Sequence, residues 1–164
     1  MKLIQSITLS SNANTITFSS IPQDGTDLIL LTSLRATSDT LQKARARFNN
    51  VSTSIYKIAY IQDSNGSFSA NLYTDTYCFI AGAGSNLSSG VFGTNKLHIM
   101  DYTNSSYKKP VHGQGASQDG STRYSYLTGT VFDTTAAITS LEISFNSNQI
   151  ASGSTASLYS ITKA

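Results

Sequence analysis

Charge is scarce in this chain. Lys, Arg, Asp and Glu supply 12% of its 164 residues, about half the usual share, and the formal net charge is only +2. Binding to nucleic acid or to an anionic membrane draws on a dense cluster of Lys and Arg, so neither is expected as a partner. Cysteine is nearly absent as well. Cys78 stands alone, which excludes an internal disulfide and leaves stability to packing. Its surroundings, TYCFIAG, read as core, where a thiol behaves as a small hydrophobe. No apolar run is long enough to cross a bilayer. The opening residues MKLIQSITLSSN lack the continuous apolar stretch of a signal peptide. Leu3, Ile7 and Leu9 instead alternate with Lys2, Ser6 and Thr8, as in a strand, so no export address is expected.

In place of charge the chain carries Ser, Thr, Asn and Gly, the surface of an all-β shell, and its length fits a single domain over residues 1–164. Its most hydrophobic segment lies within residues 15–36, TITFSSIPQDGTDLILLTSLRA. Two apolar runs flank Pro22, Gln23, Asp24 and Gly25, which predicts a strand, a connection and a second strand in a hairpin-like unit. On the second strand Leu28, Leu30 and Leu34 share one face and Ile29 and Leu31 the other, predicting a central strand covered on both sides. The amphipathic segments around Phe48, Ile99, Ile143 and Leu158 are the candidates to cover it.

Further strands are predicted over residues 3–9, 44–48, 55–61, 76–80, 93–102, 107–115, 123–132, 138–145 and 156–161. In 44–48 Ala44, Ala46 and Phe48 alternate with outward-facing Arg45 and Arg47, and Asn49-Asn50 ends the strand. Residues 37–44 predict a loop or a single helical turn. Residues 62–70, 81–90 and 113–122 read as long loops because Gly, Ser and Asn dominate them. Pro110 donates no hydrogen bond, which predicts a sheet edge or a bulge at that point. About nine or ten short strands without a helix predict an all-β, single-domain antiparallel β-sandwich, jelly-roll-like.

Chemistry is thinly represented. His98 and His112 can meet across a hairpin, but neither lies in a nucleophile elbow, and no Cys or carboxylate stands at metal-ligand spacing from them. Gly82 and Gly84 lack the lysine and helix start of a phosphate loop. Asp24 and Asp27 suit a turn better than calcium. The expectation is no enzyme, no cofactor and no metal. The basic pairs Arg45/Arg47 and Lys108-Lys109 can meet an acidic surface or simply be solvated. Tyrosine stands out, with nine copies and no tryptophan. Tyrosine offers a rigid apolar ring with a hydrogen-bonding tip, so Tyr56, Tyr60, Tyr73 and Tyr77, with Arg45 and Arg47, are the candidate interface for protein or glycan. Tyr56, Tyr73 and Tyr77 could equally cap the ends of the sandwich.

A family resemblance rests on ITFSSIP followed by an Asp-Leu strand leading to Arg35, on FNN at 48–50, IMDY at 99–102, AAITSLEI at 136–143 and GSTASLYSI at 153–161. Together these resemble small β-sandwich virion proteins of tailed bacteriophages, of the tail, fibre and capsid-associated group. That group often ends in Leu-Tyr-Gly-Ile, where this chain has Ser160 in place of the glycine. The resemblance implies a virion protein assembled in the host cytoplasm, whose partners are phage capsid or tail proteins. It further implies a homo-oligomer, a trimer before other states. A capsid decoration or cement protein is the leading expectation, and a tail-tip or fibre adhesin module that binds host glycan is the alternative.

Overall fold

The computed structural model describes residues 1–37, 42–82, 90–119 and 121–162. They form strands β1 (Lys2–Thr8), β2 (Thr15–Phe18), β3 (Asp27–Leu34), β4 (Gln42–Phe48), β5 (Tyr56–Ser64), β6 (Ser67–Asp75), β7 (Cys78–Gly82), β8 (Gly93–Ile99), β9 (Lys109–Asp119), β10 (Thr122–Phe132), β11 (Leu141–Phe145) and β12 (Thr155–Ile161). An eight-stranded sheet in the order β1-β12-β3-β8-β9-β10-β5-β6 faces a four-stranded sheet in the order β2-β11-β4-β7. Every pairing is antiparallel. The β-sandwich is therefore as expected, with twelve strands instead of nine or ten. The difference arises in the stretches taken for loops.

The core forms where alternation points both sheets inward. Leu28, Leu30, Leu34, Leu97, Ile99, Phe132, Tyr56 and Leu158 of the large sheet share one buried cluster with Ile16, Phe18, Ala44, Ala46, Phe48, Leu141 and Ile143 of the small sheet. Small alanines on β4 lie beside large rings, and Phe48, Tyr56 and Phe132 pack ring against ring at centroid separations of 4.9–5.8 Å. Cys78 is buried, as its setting predicts, and burial pushes its thiol up to about 12.

Several expectations need correction. Residues 15–36 are not a hairpin: β2 belongs to the small sheet and β3 to the large one, so Pro22–Gly25 carries the chain across the sandwich. Tyr102 holds that crossing. Its hydroxyl donates to the Pro22 carbonyl and accepts from the Gly25 amide at 3.2 Å. The small sheet covers β3 on one face only, while on the outer face Ile29 is buried among its neighbours on the large sheet. Phe48 and Ile143 supply that cover, while Ile99 and Leu158 are its ladder neighbours and Leu31 stays 38% exposed on the outer face.

Residues 62–70 are the middle of the β5–β6 hairpin, closed by Asn65 and Gly66 with φ of 49° and 88°. Asn-Gly is the favoured pair for such a two-residue turn because both positions need positive φ. Residues 113–119 extend β9 and β10 begins at Thr122, while residue 120 lies outside the described residues. A Cβ at Gly113 would come within 2.7 Å of Leu97 Cδ2, so this glycine serves close packing inside a strand. Pro110 sits in an interior strand with no bulge there. It tolerates that place because its nitrogen faces the end of β8: its carbonyl accepts from the Met100 amide at 3.0 Å, and the β8 ladder goes no further than Ile99 with Val111. The loop or helical turn read over residues 37–44 gives way to β4 from Gln42, and residues 38–41 lie outside the described residues. Of the predicted loop over 81–90, Ala81 and Gly82 end β7 and residues 83–89 lie outside the described residues.

Candidate functional site

Titratable groups that sequence distance separates are brought together on the outer face of the large sheet. His98 and His112 are directly opposed on β8 and β9. His98 Nε2 lies 2.8 Å from Asp27 Oδ2, a carboxylate that spacing alone does not place there. Among the described residues no group of three or more His, Cys, Asp or Glu can hold a metal ion. Asp24 turns away from Asp27 and pairs with Lys2 at 3.2 Å. Lys108 and Lys109 part company. Lys108 and Lys57 flank Asp133, and their hydrogen bonds hold its carboxyl below the usual carboxylate range. Lys109 points inward and is fully buried, donating to the carbonyls of Tyr107 and Thr135, and desolvation lowers its pKa.

The nominated tyrosines divide. Tyr56 is core: it is fully buried, its hydroxyl accepting from the Phe48 amide at 2.9 Å and donating to the Val51 carbonyl at 3.2 Å. Arg47 is committed to the small sheet, with Nε donating to the Thr76 carbonyl at 3.2 Å and a guanidinium nitrogen 3.9 Å from Glu142. Tyr60, Tyr73, Tyr77 and Arg45 do come together. β7 ends the small sheet, so the inner face of the β5–β6 hairpin runs on past its cover, and its aromatic side chains pack on one another there.

Tyr60 meets Tyr73 edge-on at 5.8 Å and Phe79 at 5.8 Å, and Phe79 meets Tyr126 at 5.2 Å. Lys43 Nζ is 5.6 Å from the centroids of both Tyr60 and Phe79, and the Arg45 guanidinium is 4.3 Å from the Tyr77 ring. Cations over ring faces give this shelf a positive, half-exposed surface. Desolvation raises the pKa of Tyr73 and Tyr77, and the neighbouring Asp75 adds to both.

The same desolvation pushes Tyr56 up to about 12 from an ordinary 10.0. The folded chain thus holds the phenol protons to higher pH than the unfolded chain does. Their contribution to stability is complete below pH 10 and disappears as pH rises through about 12. The urea midpoint should therefore fall steeply above pH 10. Tyr56→Phe should flatten that fall and should lower stability at pH 7 by about 1–3 kcal/mol, because the buried Phe48 amide loses its acceptor. An unchanged midpoint at pH 7 would mean that the Tyr56 hydroxyl carries no such load.

A second surface lies on the opposite side of the same hairpin. β6 is the edge of the large sheet, and its outward side chains Phe68 and Leu72 are 78% and 83% exposed. Behind them Ile61, Leu127 and Val131 extend the apolar surface across β5 and β10. Residues 67–75 read SFSANLYTD, nine residues without Lys, Arg or Pro. Edge strands usually carry such residues, or a bulge, to discourage pairing. The other edge of the large sheet, β1, has both Lys2 and a register shift between Leu3 and Gln5. Sequence reading missed this surface by taking residues 62–70 for a loop. The Asn65-Gly66 pair was the signal that could have found it.

No family model matches the chain, and neither does any curated protein or solved structure.

Proposed function

We propose that this protein is a non-enzymatic structural component of a tailed-phage virion, a capsid decoration or cement protein that acts by binding other protein. One observation carries the reading. The large sheet leaves a long β6 edge with exposed Phe68 and Leu72, a surface suited to pairing with protein. Sequence resemblance supplies the virion setting. A rigid β-shell that binds only assembled subunits stabilises the assembly by mass action, by about 2.7 kcal/mol when present at 100 times its Kd.

A second reading, a tail-tip or fibre module for host glycan, draws on a different observation. The shelf of Tyr60, Tyr73 and Tyr77 beside Lys43 and Arg45 presents ring faces on which a sugar can stack. Purified protein mixed with phage heads that lack it separates the two readings. Saturable co-sedimentation with heads, and a higher temperature of DNA release, support decoration. Binding to tails alone, or polysaccharide binding that Tyr73→Ala abolishes, supports the adhesin. Turnover of a polysaccharide overturns both.

A further inference from the structure

We infer that the β6 edge is a self-association edge, on which two copies of this chain pair antiparallel about a two-fold axis through Asn71. The inference rests on the reading of this surface as an assembly surface and names its occupant. Asn65 and Gly66 form a two-residue turn, so the flanking pair Ser64 and Ser67 is hydrogen-bonded and bonded pairs alternate along the hairpin. Ser67, Ser69, Asn71, Tyr73 and Asp75 therefore spend their backbone groups on β5. The N–H and C=O groups of Phe68, Ala70, Leu72 and Thr74 point out of the sheet, with no strand beyond them among the described residues.

A two-fold axis at Asn71 sets Ala70 against Leu72 of the second copy and Phe68 against its Thr74. Each is a pair of the bonded kind, so every outward group finds a partner. A register shifted by one residue would set each outward group opposite a residue whose own groups are spent on β5, and would satisfy none. Side chains agree with this register. Phe68, Ala70 and Leu72 stay on the outer face, which continues as one apolar surface across the axis, and the two Asn71 amides meet on the inner face. The only charge on the strand, Asp75, falls opposite neutral Ser67, so no like charges face each other.

Closure also favours this pairing. Joining β6 of one copy to β1 of the next would build an open filament, and the bulge and Lys2 on β1 oppose it, whereas two β6 edges consume each other. A single strand edge with the flanks of Phe68 and Leu72 is a small contact beside the ~1,200–2,000 Å² that stable complexes bury. The dimer is accordingly weak in free solution and firm where copies are held side by side on a surface, because tethering raises effective concentration.

Sedimentation over a concentration series, together with amide hydrogen exchange, tests the pairing. Wild-type protein should pass from monomer to dimer with rising concentration. Amides of Phe68, Ala70, Leu72 and Thr74 should gain protection in step, while those of Ser69, Asn71 and Tyr73 stay protected throughout. Leu72→Lys places charge at an exposed position and should weaken association at least about tenfold. Ala70→Pro removes an outward amide without touching the β5 ladder and should do the same. A monomer at every concentration, a trimer, wild-type association in both variants, or fast exchange at the four outward amides in the associated state would overturn the inference. The exchange pattern is read on the wild-type chain and needs no variant to fold. Self-association without head binding discredits the virion reading alone, and head binding by a strict monomer discredits the dimer alone.

Discussion

Leu30→Asp should leave the chain unfolded. Leu30 is 1% exposed and sits mid-strand on β3, between Leu158 and Leu97 on its neighbouring strands and inside the cluster shared with Phe48 and Ile143. A carboxylate there has no cation within the cluster and no route to water. Burying an unpaired charge costs several kcal/mol even after the group takes up a proton. A cost of at least about 4 kcal/mol is comparable with the whole stability of a typical domain, ~5–15 kcal/mol. Circular dichroism and a urea titration check this: the expected result is no cooperative transition. A soluble variant with a sharp transition would place Leu30 outside the core.

Tyr102→Ala carries the second large effect. Tyr102 is fully buried just beyond β8, where three connections meet. Its amide donates to the Thr26 carbonyl at 3.0 Å, its carbonyl accepts from the Ile138 amide at 2.8 Å, and its hydroxyl engages Pro22 and Gly25. The ring thus pins the passage from β2 to β3 across the two sheets. Removing it leaves a cavity under that crossing and should cost about 3–5 kcal/mol. Tyr102→Phe keeps the ring and strands the Gly25 amide, which should cost about 1–3 kcal/mol. Thermal melts of the two variants separate the contributions of packing and hydroxyl. Equal losses in both would assign the whole effect to the hydrogen bonds.

The fold class was legible because alternation is a strong local signal. Ala44, Ala46 and Phe48 against Arg45 and Arg47, or Leu141, Ile143 and Phe145 against Glu142 and Ser144, can satisfy only a half-buried strand. Partnership was less legible. Nothing local says that β2 and β3 belong to different sheets, because a crossing connection and a hairpin turn use the same Pro, Asp and Gly. Glycine misled at 113 and 115. Composition suggested a flexible loop, whereas these residues make room for Leu97 and Asn95 on the adjoining strand. Lys109 misled in the opposite direction, its charge suggesting solvent while two carbonyls receive it inside.

For the candidate site, residue type was informative and burial was not. Tyr60, Tyr73, Tyr77 and Arg45 assemble into one shelf, yet Tyr56, with the same chemistry, fills the core. Tyr56 opens β5 opposite Phe132, where the small sheet covers it, and Tyr60 lies further along the same strand, past that cover. Cover of this kind depends on where β7 ends, a property of the assembled sandwich. The exposed β6 edge is likewise a property of the assembled sheet, set by β6 standing last in the strand order.

Electron cryo-microscopy of the phage particles proposed to contain this chain tests the central claim most directly. The account predicts density for the twelve-stranded sandwich repeated over the outside of the head, with β6 strands of adjacent copies side by side. Density confined to the tail, or absent from the particle, would contradict it.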